Sequence, residues 1–381
     1  MEHRLKRIGK FWKQETVLSI AIIMAVISMV LVPPDQEYVS YIDVRTLSIL
    51  FCLMVIVAGL RGIGVFDHIA QTLLNRVKGI TGIILILVGL CFFLSMLITN
   101  DVALITFVPL TIILMKRFQP EVRQKWLLKV VVMQTIAANL GSMLTPIGNP
   151  QNLYLYGKAG ISIGAFIMIM LPYTLVALGL LILWIVLASR KNRGEKKRIG
   201  GDGVVEFKFS DQRRLEYLLV YGLFFILSLL SVAHLLPYWI PLVLVFLYSI
   251  IRNRPVLRQV DYSLLGTFVA LFIFIGNLGR IPAFHTALQA MVTGRELLTA
   301  VVASQVMSNV PAAILLSGFT DDIPALIVGT NLGGLGTLIA SMASLISFKY
   351  VAKEDRGLRG RYFLEFTVAN IVFLAILLVI V

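Results

Sequence analysis

Apolar runs long enough, or nearly long enough, to cross a lipid bilayer recur from one end of this chain to the other. A spanning helix needs about 20 predominantly apolar residues. Candidate spans lie at 17–32, 46–60, 80–98, 102–115, 126–144, 163–188, 215–232, 239–251, 264–278, 297–316, 325–346 and 362–381. Several are short for a full crossing, 102–115 among them, and such runs are more often re-entrant or interfacial. About ten to twelve membrane segments are therefore expected, some of them hairpins that turn back midway. With 58% of the residues hydrophobic and only 14% charged, against roughly 25% charged in a soluble domain, no long polar region remains for a soluble catalytic domain. The sequence predicts an all-α, polytopic protein.

The formal net charge of +14 does not point to nucleic acid. Its Lys and Arg residues cluster between apolar runs, as in cytoplasmic loops, rather than along one helix face. The clearest cluster, at 190–214 (Lys191, Arg193, Lys196, Lys197, Arg198, Arg213, Arg214), divides a first membrane unit, 1–189, from a second, 215–381. It is expected to face the cytoplasm, together with the basic loop of Lys116, Arg117, Arg123 and Lys125. The basic N-terminus (Arg4, Lys6, Arg7, Lys10, Lys13) leads into a run without a small-residue cleavage site, so it reads as a retained first span. Trp12, Trp126 and Trp239 lie near span ends, where interfacial aromatics are expected. Cys52 and Cys91 stand inside apolar runs without a CxxC or His partner, which indicates neither a disulfide framework nor a zinc site.

The two units echo each other. Residues 59–73 (GLRGIGVFDHIAQTL) parallel 276–290 (GNLGRIPAFHTALQA), 97–110 (LITNDVALITFVPL) parallel 306–319 (VMSNVPAAILLSGF), and 138–153 (ANLGSMLTPIGNPQNL) parallel 330–345 (TNLGGLGTLIASMASL). Matches in one order argue for an internal repeat of the kind found in transporters. Whether the second copy is inverted depends on whether 215–251 forms one broken span or two, which the sequence leaves open.

The chemistry concentrates at the breaks. Thr99, Asn100 and Asp101 fall between apolar runs, at a depth where an ionised carboxylate costs roughly 2.5–3.5 kcal/mol. A helix restarting here would aim its first N–H groups at the break, with Asn or Asp as cap. Capping contributes about 1 kcal/mol and at most about 2, which does not cover that cost. The triplet therefore reads as an ion or proton site, with Na⁺ at Asn100, Asp101 and Asn149 as one candidate. A second constellation joins Asn139, Gly141, Ser142, Thr145, Pro146, Gly148, Asn149, Pro150 and Asn152. Its prolines remove backbone donors and its glycines permit an unwound path. Lipid cannot satisfy the groups so freed, so such a break persists where it lines a cavity or holds a ligand. In the second unit Ser308, Asn309 and Pro311 match the triplet, with Val310 where Asp101 stood. There Asn331, Gly333, Gly334, Gly336, Thr337, Ser341 and Ser344 match the second constellation, Thr337 opposite Thr145. The glycines of this copy could equally serve close helix packing. His68 and His285 fall on amphipathic stretches and read as interfacial, and His234 as a loop residue.

These paired motifs resemble those of the ion transporter superfamily, which contains arsenite efflux permeases, citrate-type and divalent anion:sodium symporters, and Na⁺/H⁺ antiporters. The resemblance runs from about residue 47 onward. It implies a scaffold domain and a transport domain moving as an elevator, two re-entrant hairpins with tips at Asn100 and Asn309, discontinuous helices near Gly148 and Gly336, and a homodimer. It also implies a first cation site from Thr99, Asn100, Asp101, Asn139, Gly148 and Asn149, and a counterpart from Ser308, Asn309, Asn331, Thr337 and Ser341. The dicarboxylate symporters carry Ser-Asn-Thr at both tips, whereas here the third positions are Asp101 and Val310; the Thr-Asn-Asp pattern is more frequent in the arsenite-permease-like branch.

The expected protein is thus a multi-pass plasma-membrane carrier, without an organic cofactor, that couples Na⁺ or H⁺ to a small anion or oxyanion. Arsenite-type efflux, Na⁺/H⁺ exchange and a passive channel are the alternatives. The chain has no HExxH, no GxSG, no pair of transmembrane aspartates and no GxxxxGK[ST] loop, which argues against an intramembrane enzyme and against ATP drive from this chain.

Overall fold

A computed structural model describes residues 15–77, 79–190 and 212–380, and every regular element among them is helical. The first unit runs α1 (Thr16–Leu31), α2 (Val44–Gly62), α3 (Val65–Leu74), α4 (Ile80–Ile98), α5 (Asn100–Met115), α6 (Pro120–Ser142), α7 (Pro150–Ala159) and α8 (Ile163–Ser189). The second runs α9 (Gln212–Val232), α10 (Trp239–Arg252), α11 (Tyr262–Gly279), α12 (Pro282–Val292), α13 (Glu296–Met307), α14 (Asn309–Leu316), α15 (Ile323–Leu332), α16 (Met342–Glu354) and α17 (Arg359–Leu378). Among the described residues six helices are long and apolar enough to cross a membrane, and several shorter apolar helices accompany them. The basic N-terminus and almost all of the 190–214 linker lie outside the described residues.

The stretch 215–251 resolves into two helices, α9 and α10, joined by a turn in which His234 takes a positive φ of 61°. The run expected to start at 126 instead begins at Pro120, because a helix's first turn has no use for the backbone donor that proline lacks. The runs 297–316 and 325–346 are each divided, at Ser308 and across residues 333–341.

Elements α2 to α8 and α11 to α17 follow the same order with matching ends. Asp43 caps α2 by accepting from Thr46 N, and Asp261 caps α11 by accepting from Leu264 N, at 2.9 Å each. Thr99 (φ 72°, ψ 152°) separates α4 from α5 as Ser308 (φ 74°, ψ 153°) separates α13 from α14. Extended Asn149 starts α7, and extended Ser341 starts α16.

Two apolar cores hold these helices. A smaller one joins Cys52, Val55 and Ile56 of α2 with Tyr221 and Phe224 of α9 and Val245 of α10. Gly59 permits it, because a Cβ there would overlap the Tyr221 ring. A larger core joins α1 to α8 with α11 to α17, so α2 takes part in both. Helix α2 runs antiparallel to α11: Arg61 at its end donates to Gln259 (3.0 Å), while Tyr41 before its start packs on Gly276 near the end of α11. The end of α2 thus shares a face with the start of α9, where the linker arrives. Arg45 at the opposite end donates to the carbonyls of Ser231 (3.0 Å) and Val232 (3.2 Å) that close α9.

Candidate functional site

Each short turn is a strained one. A non-glycine residue with positive φ and ψ near 150° costs about 1–3 kcal/mol, so Thr99 and Ser308 persist only because neighbours hold them. Helix α4 packs on α5, and α13 on α14. Asn100 N donates to Gly148 O (3.3 Å), and Asn309 N to Ala340 O (3.0 Å). Each new helix therefore directs its first donor at the carbonyl just before another helix restart. The hydroxyl of Thr145 donates to Met96 O, and that of Thr337 to Gln305 O (3.2 Å). Both threonines stitch an unwound stretch to the arm entering the neighbouring turn.

The unwound stretches also cross between units. Asn139, near the end of α6, accepts from Asn100 Nδ2 (3.0 Å) in its own unit and from Ser341 Oγ (3.1 Å) in the other, and it donates to Ser344 Oγ (3.4 Å). Asn331, near the end of α15, donates to Asn152 Oδ1 (2.7 Å) and accepts from Asn149 Nδ2 (3.5 Å). The relation is reciprocal: each asparagine reaches the restarting helix of the opposite unit. Asn149 Nδ2 also donates to Ser142 Oγ (2.7 Å), and Asn152 Nδ2 to Thr145 O (3.2 Å).

These bonds draw the starts of α5, α7, α14 and α16 together. Asn100, Asn139, Gly148, Asn149, Asn152, Ser308, Asn309, Asn331 and Ser341 are all buried; Thr99, Asp101 and Thr145 are half-buried, and Thr337 is exposed. A helix start carries partial positive charge and unpaired N–H groups, which suit an anion. A cation needs oxygens instead, and one is available. Asn149 Oδ1 is buried without a hydrogen-bond partner, whereas Asn100 Oδ1 already accepts from Asp101 N (2.9 Å). Of the two tip-proximal amide oxygens, only that of Asn149 is thus left without a hydrogen bond.

The two turns face different surroundings. Thr99, Asp101 and Val102 line a cavity of about 130 Å³ shared with α2, Arg61, Gln259 and Asp261. Val310 and Pro311 line one of about 230 Å³ with Met342, Lys349 and the start of α1. One turn thus presents a carboxylate to its cavity and the other an isopropyl group.

Asp261 and Gln305 were missed by the sequence reading. Asp261 shows only as an acidic residue before an apolar run, the mark of a helix cap, and nothing local places it in the cavity of Asp101. Gln305 accepts from Thr337 N (2.9 Å) and donates to Gly333 O and Leu335 O (2.9 Å each), holding the second break open. A glutamine in an apolar helix three residues before the turn was its one signal.

Six apolar helices of bilayer length among the described residues, with buried polar breaks between shorter ones, are the architecture of a multi-pass membrane protein. Residues 9–323 match the family described as citrate transporter, and the chain belongs to that family. An uncharacterized transporter of Methanocaldococcus jannaschii is 33% identical over 366 residues, covering 96% of this chain and 95% of that protein. Inner membrane protein YbiR of Escherichia coli is 31% identical over 334 residues, 86% of this chain and 85% of its own. A silicon efflux transporter of Oryza sativa is 31% identical over 163 residues, 42% of this chain and 32% of that protein.

Proposed function

We propose that this protein is a secondary active transporter of the plasma membrane that couples Na⁺ or H⁺, held at the 99–101 turn, to movement of a small inorganic or carboxylate anion. The observation that carries this reading is the meeting of four helix starts in one buried asparagine network with a carboxylate, Asp101, at its edge, in a cavity that it shares with Asp261 and Arg61. Helix starts favour an anion, and an ionised Asp101 opposes it unless a cation or proton cancels that charge. Each ligand then favours binding of the other, which is the thermodynamic content of coupling.

In this reading α2 to α8 and α11 to α17 are inverted repeats. The pairs α4–α5 and α13–α14 are re-entrant hairpins, and α6–α7 and α15–α16 are discontinuous helices. The smaller core of α2, α9 and α10 belongs to a scaffold through which two copies dimerise, and the larger core carries a transport domain that slides as an elevator. A second reading, efflux of an oxyacid of the arsenite or silicon kind, draws on the partial similarity to a silicon efflux transporter and on Val310. Na⁺/H⁺ exchange at Asp101 is the remaining form of coupling.

Reconstituted vesicles test the proposal. Imposed Na⁺ or pH gradients are expected to drive uphill accumulation or extrusion of an anion from a panel of carboxylates and oxyanions, and Asp101→Asn to abolish that drive. Flux that no gradient can drive uphill would indicate a channel. Gradient dependence unchanged in Asp101→Asn would remove Asp101 from the coupling role.

A further inference from the structure

A cavity of about 390 Å³ opens between the start of α2, the end of α7, the α9–α10 turn and α11. Its charged lining is Asp43, Arg45 and Lys158, with His234 beside them. Asp43 is engaged as a cap, its two carboxylate oxygens accepting from the backbone N (2.9 Å) and the hydroxyl of Thr46. Arg45 spends Nη2 on the carbonyls of Ser231 and Val232, which orients the guanidinium without neutralising it. Its Nη1 faces Gly157, where a Cβ would stand only 3.3 Å away. Lys158, the next residue, adds an ammonium to the same space. Among the described residues neither cation forms an ion pair, and Asp321 acts on Lys158 only from beyond contact distance. His234 is held at the rim in its positive-φ turn, its ring 5.9 Å from that of Tyr156.

Aromatic side chains complete the lining. The Tyr154 hydroxyl lies 2.9 Å from Ser317 Oγ, and its ring lies 5.4 Å from that of Phe272. The cavity at the start of α2 thus sets two cations against one capping carboxylate, with Tyr154 and Phe272 in its wall.

We propose that this cavity is a second anion site, which receives a small carboxylate or oxyanion between Arg45 and Lys158. A guanidinium edge and an ammonium offer the donors that such a group takes in charge-assisted hydrogen bonds. Gly157 leaves the guanidinium edge uncovered, and the excess of positive charge concentrates anions at the mouth. The assignment rests on the reading of the solute as an anion.

The test is local. Full-length protein in detergent is treated with an amine-acetylating reagent, with and without citrate or sulfate at constant ionic strength, and modification of Lys158 and Lys116 is followed by mass spectrometry. Lys116, which does not line this cavity and pairs with Glu354 at 2.9 Å, is the internal control. Saturating anion is expected to slow Lys158 by about fivefold or more while leaving Lys116 unchanged. Arg45→Gln is expected to abolish the protection, and Gly157→Ala, which crowds Nη1 while leaving the Arg45 bonds to α9 in place, to weaken it. Equal Lys158 rates with and without either anion would overturn the site, as would protection that survives both substitutions. Gradient-driven anion flux without Lys158 protection removes this site and leaves the transport proposal standing; protection without flux does the reverse.

Discussion

Replacing Asn139 by alanine probes the network at its centre. Asn139 is 5% exposed, and its carboxamide serves Asn100 Nδ2 at 3.0 Å and Ser341 Oγ at 3.1 Å, with a longer bond to Ser344 at 3.4 Å. Truncation strands two buried donors, of which only the hydroxyl can rotate to a new acceptor. A buried polar group left unsatisfied costs about 1–3 kcal/mol, so Asn139→Ala is expected to destabilise the fold by about 2–4 kcal/mol. The assay is equilibrium unfolding of full-length protein in mixed micelles. Asn370→Ala is the control. That side chain is equally buried but donates only to Phe366 O within its own helix, so its loss strands no partner on another helix. Asn331→Ala, which strands Asn152 Oδ1, is expected to resemble Asn139→Ala. The double variant Asn139→Ala, Ser341→Ala should lose less than the sum of its parts, because the two side chains share a bond. An Asn139→Ala cost no larger than that of Asn370→Ala would refute the reasoning.

Three further outcomes are expected. Gly148→Ala places a Cβ against the Ser142 carbonyl and should cost about 1–3 kcal/mol by overpacking, whereas Ala340→Gly at the matching position should cost under about 1 kcal/mol; micelle unfolding separates the two. Glu354→Gln removes pairings to Lys116 (2.9 Å) and Arg123 (2.6 Å) that tie the α5–α6 loop to the end of α16. These cations are more than a third exposed, so the loss should be about 1 kcal/mol and shrink in high salt. The hydrogen bond from Arg280 (2.6 Å) holds the Asp35 carboxyl below its ordinary value. A carboxyl with a depressed folded pKa stabilises above its unfolded value and loses that contribution as pH falls through the folded one. The stability deficit of Arg280→Gln should therefore be present at neutral pH and vanish under acid, as read from unfolding midpoints across pH; a pH-independent deficit would exclude the pairing as its cause.

The breaks themselves were legible from local chemistry. Pro146 and Pro150 cannot donate to a helix, and Thr99-Asn100-Asp101 cannot sit in hydrocarbon without partners, so the chain declared where its helices fail. The second unit was harder to read, because Gly333, Gly334 and Gly336 suit helix packing as well as unwinding. There the decision fell to Gln305, whose side chain occupies the backbone groups of the opened turn.

Alignment of the two units from sequence placed Thr337 opposite Thr145, and their hydroxyls make corresponding bonds. What such alignment could not contain is the exchange between units, Asn139 with Ser341 and Asn331 with Asn152, since residues so far apart in the chain share no periodicity. Composition and spacing alone determined an all-helical membrane chain with polar interruptions at known positions, because lipid leaves an unpaired backbone or a lone carboxylate nowhere else to go. Only the tertiary structure decided which interruptions meet and that Asp261 rather than a residue of the 308–311 turn shares the cavity of Asp101. Those choices depend on how α2, α11 and the breaks pack in space, and packing between distant helices leaves no trace in any local window of sequence.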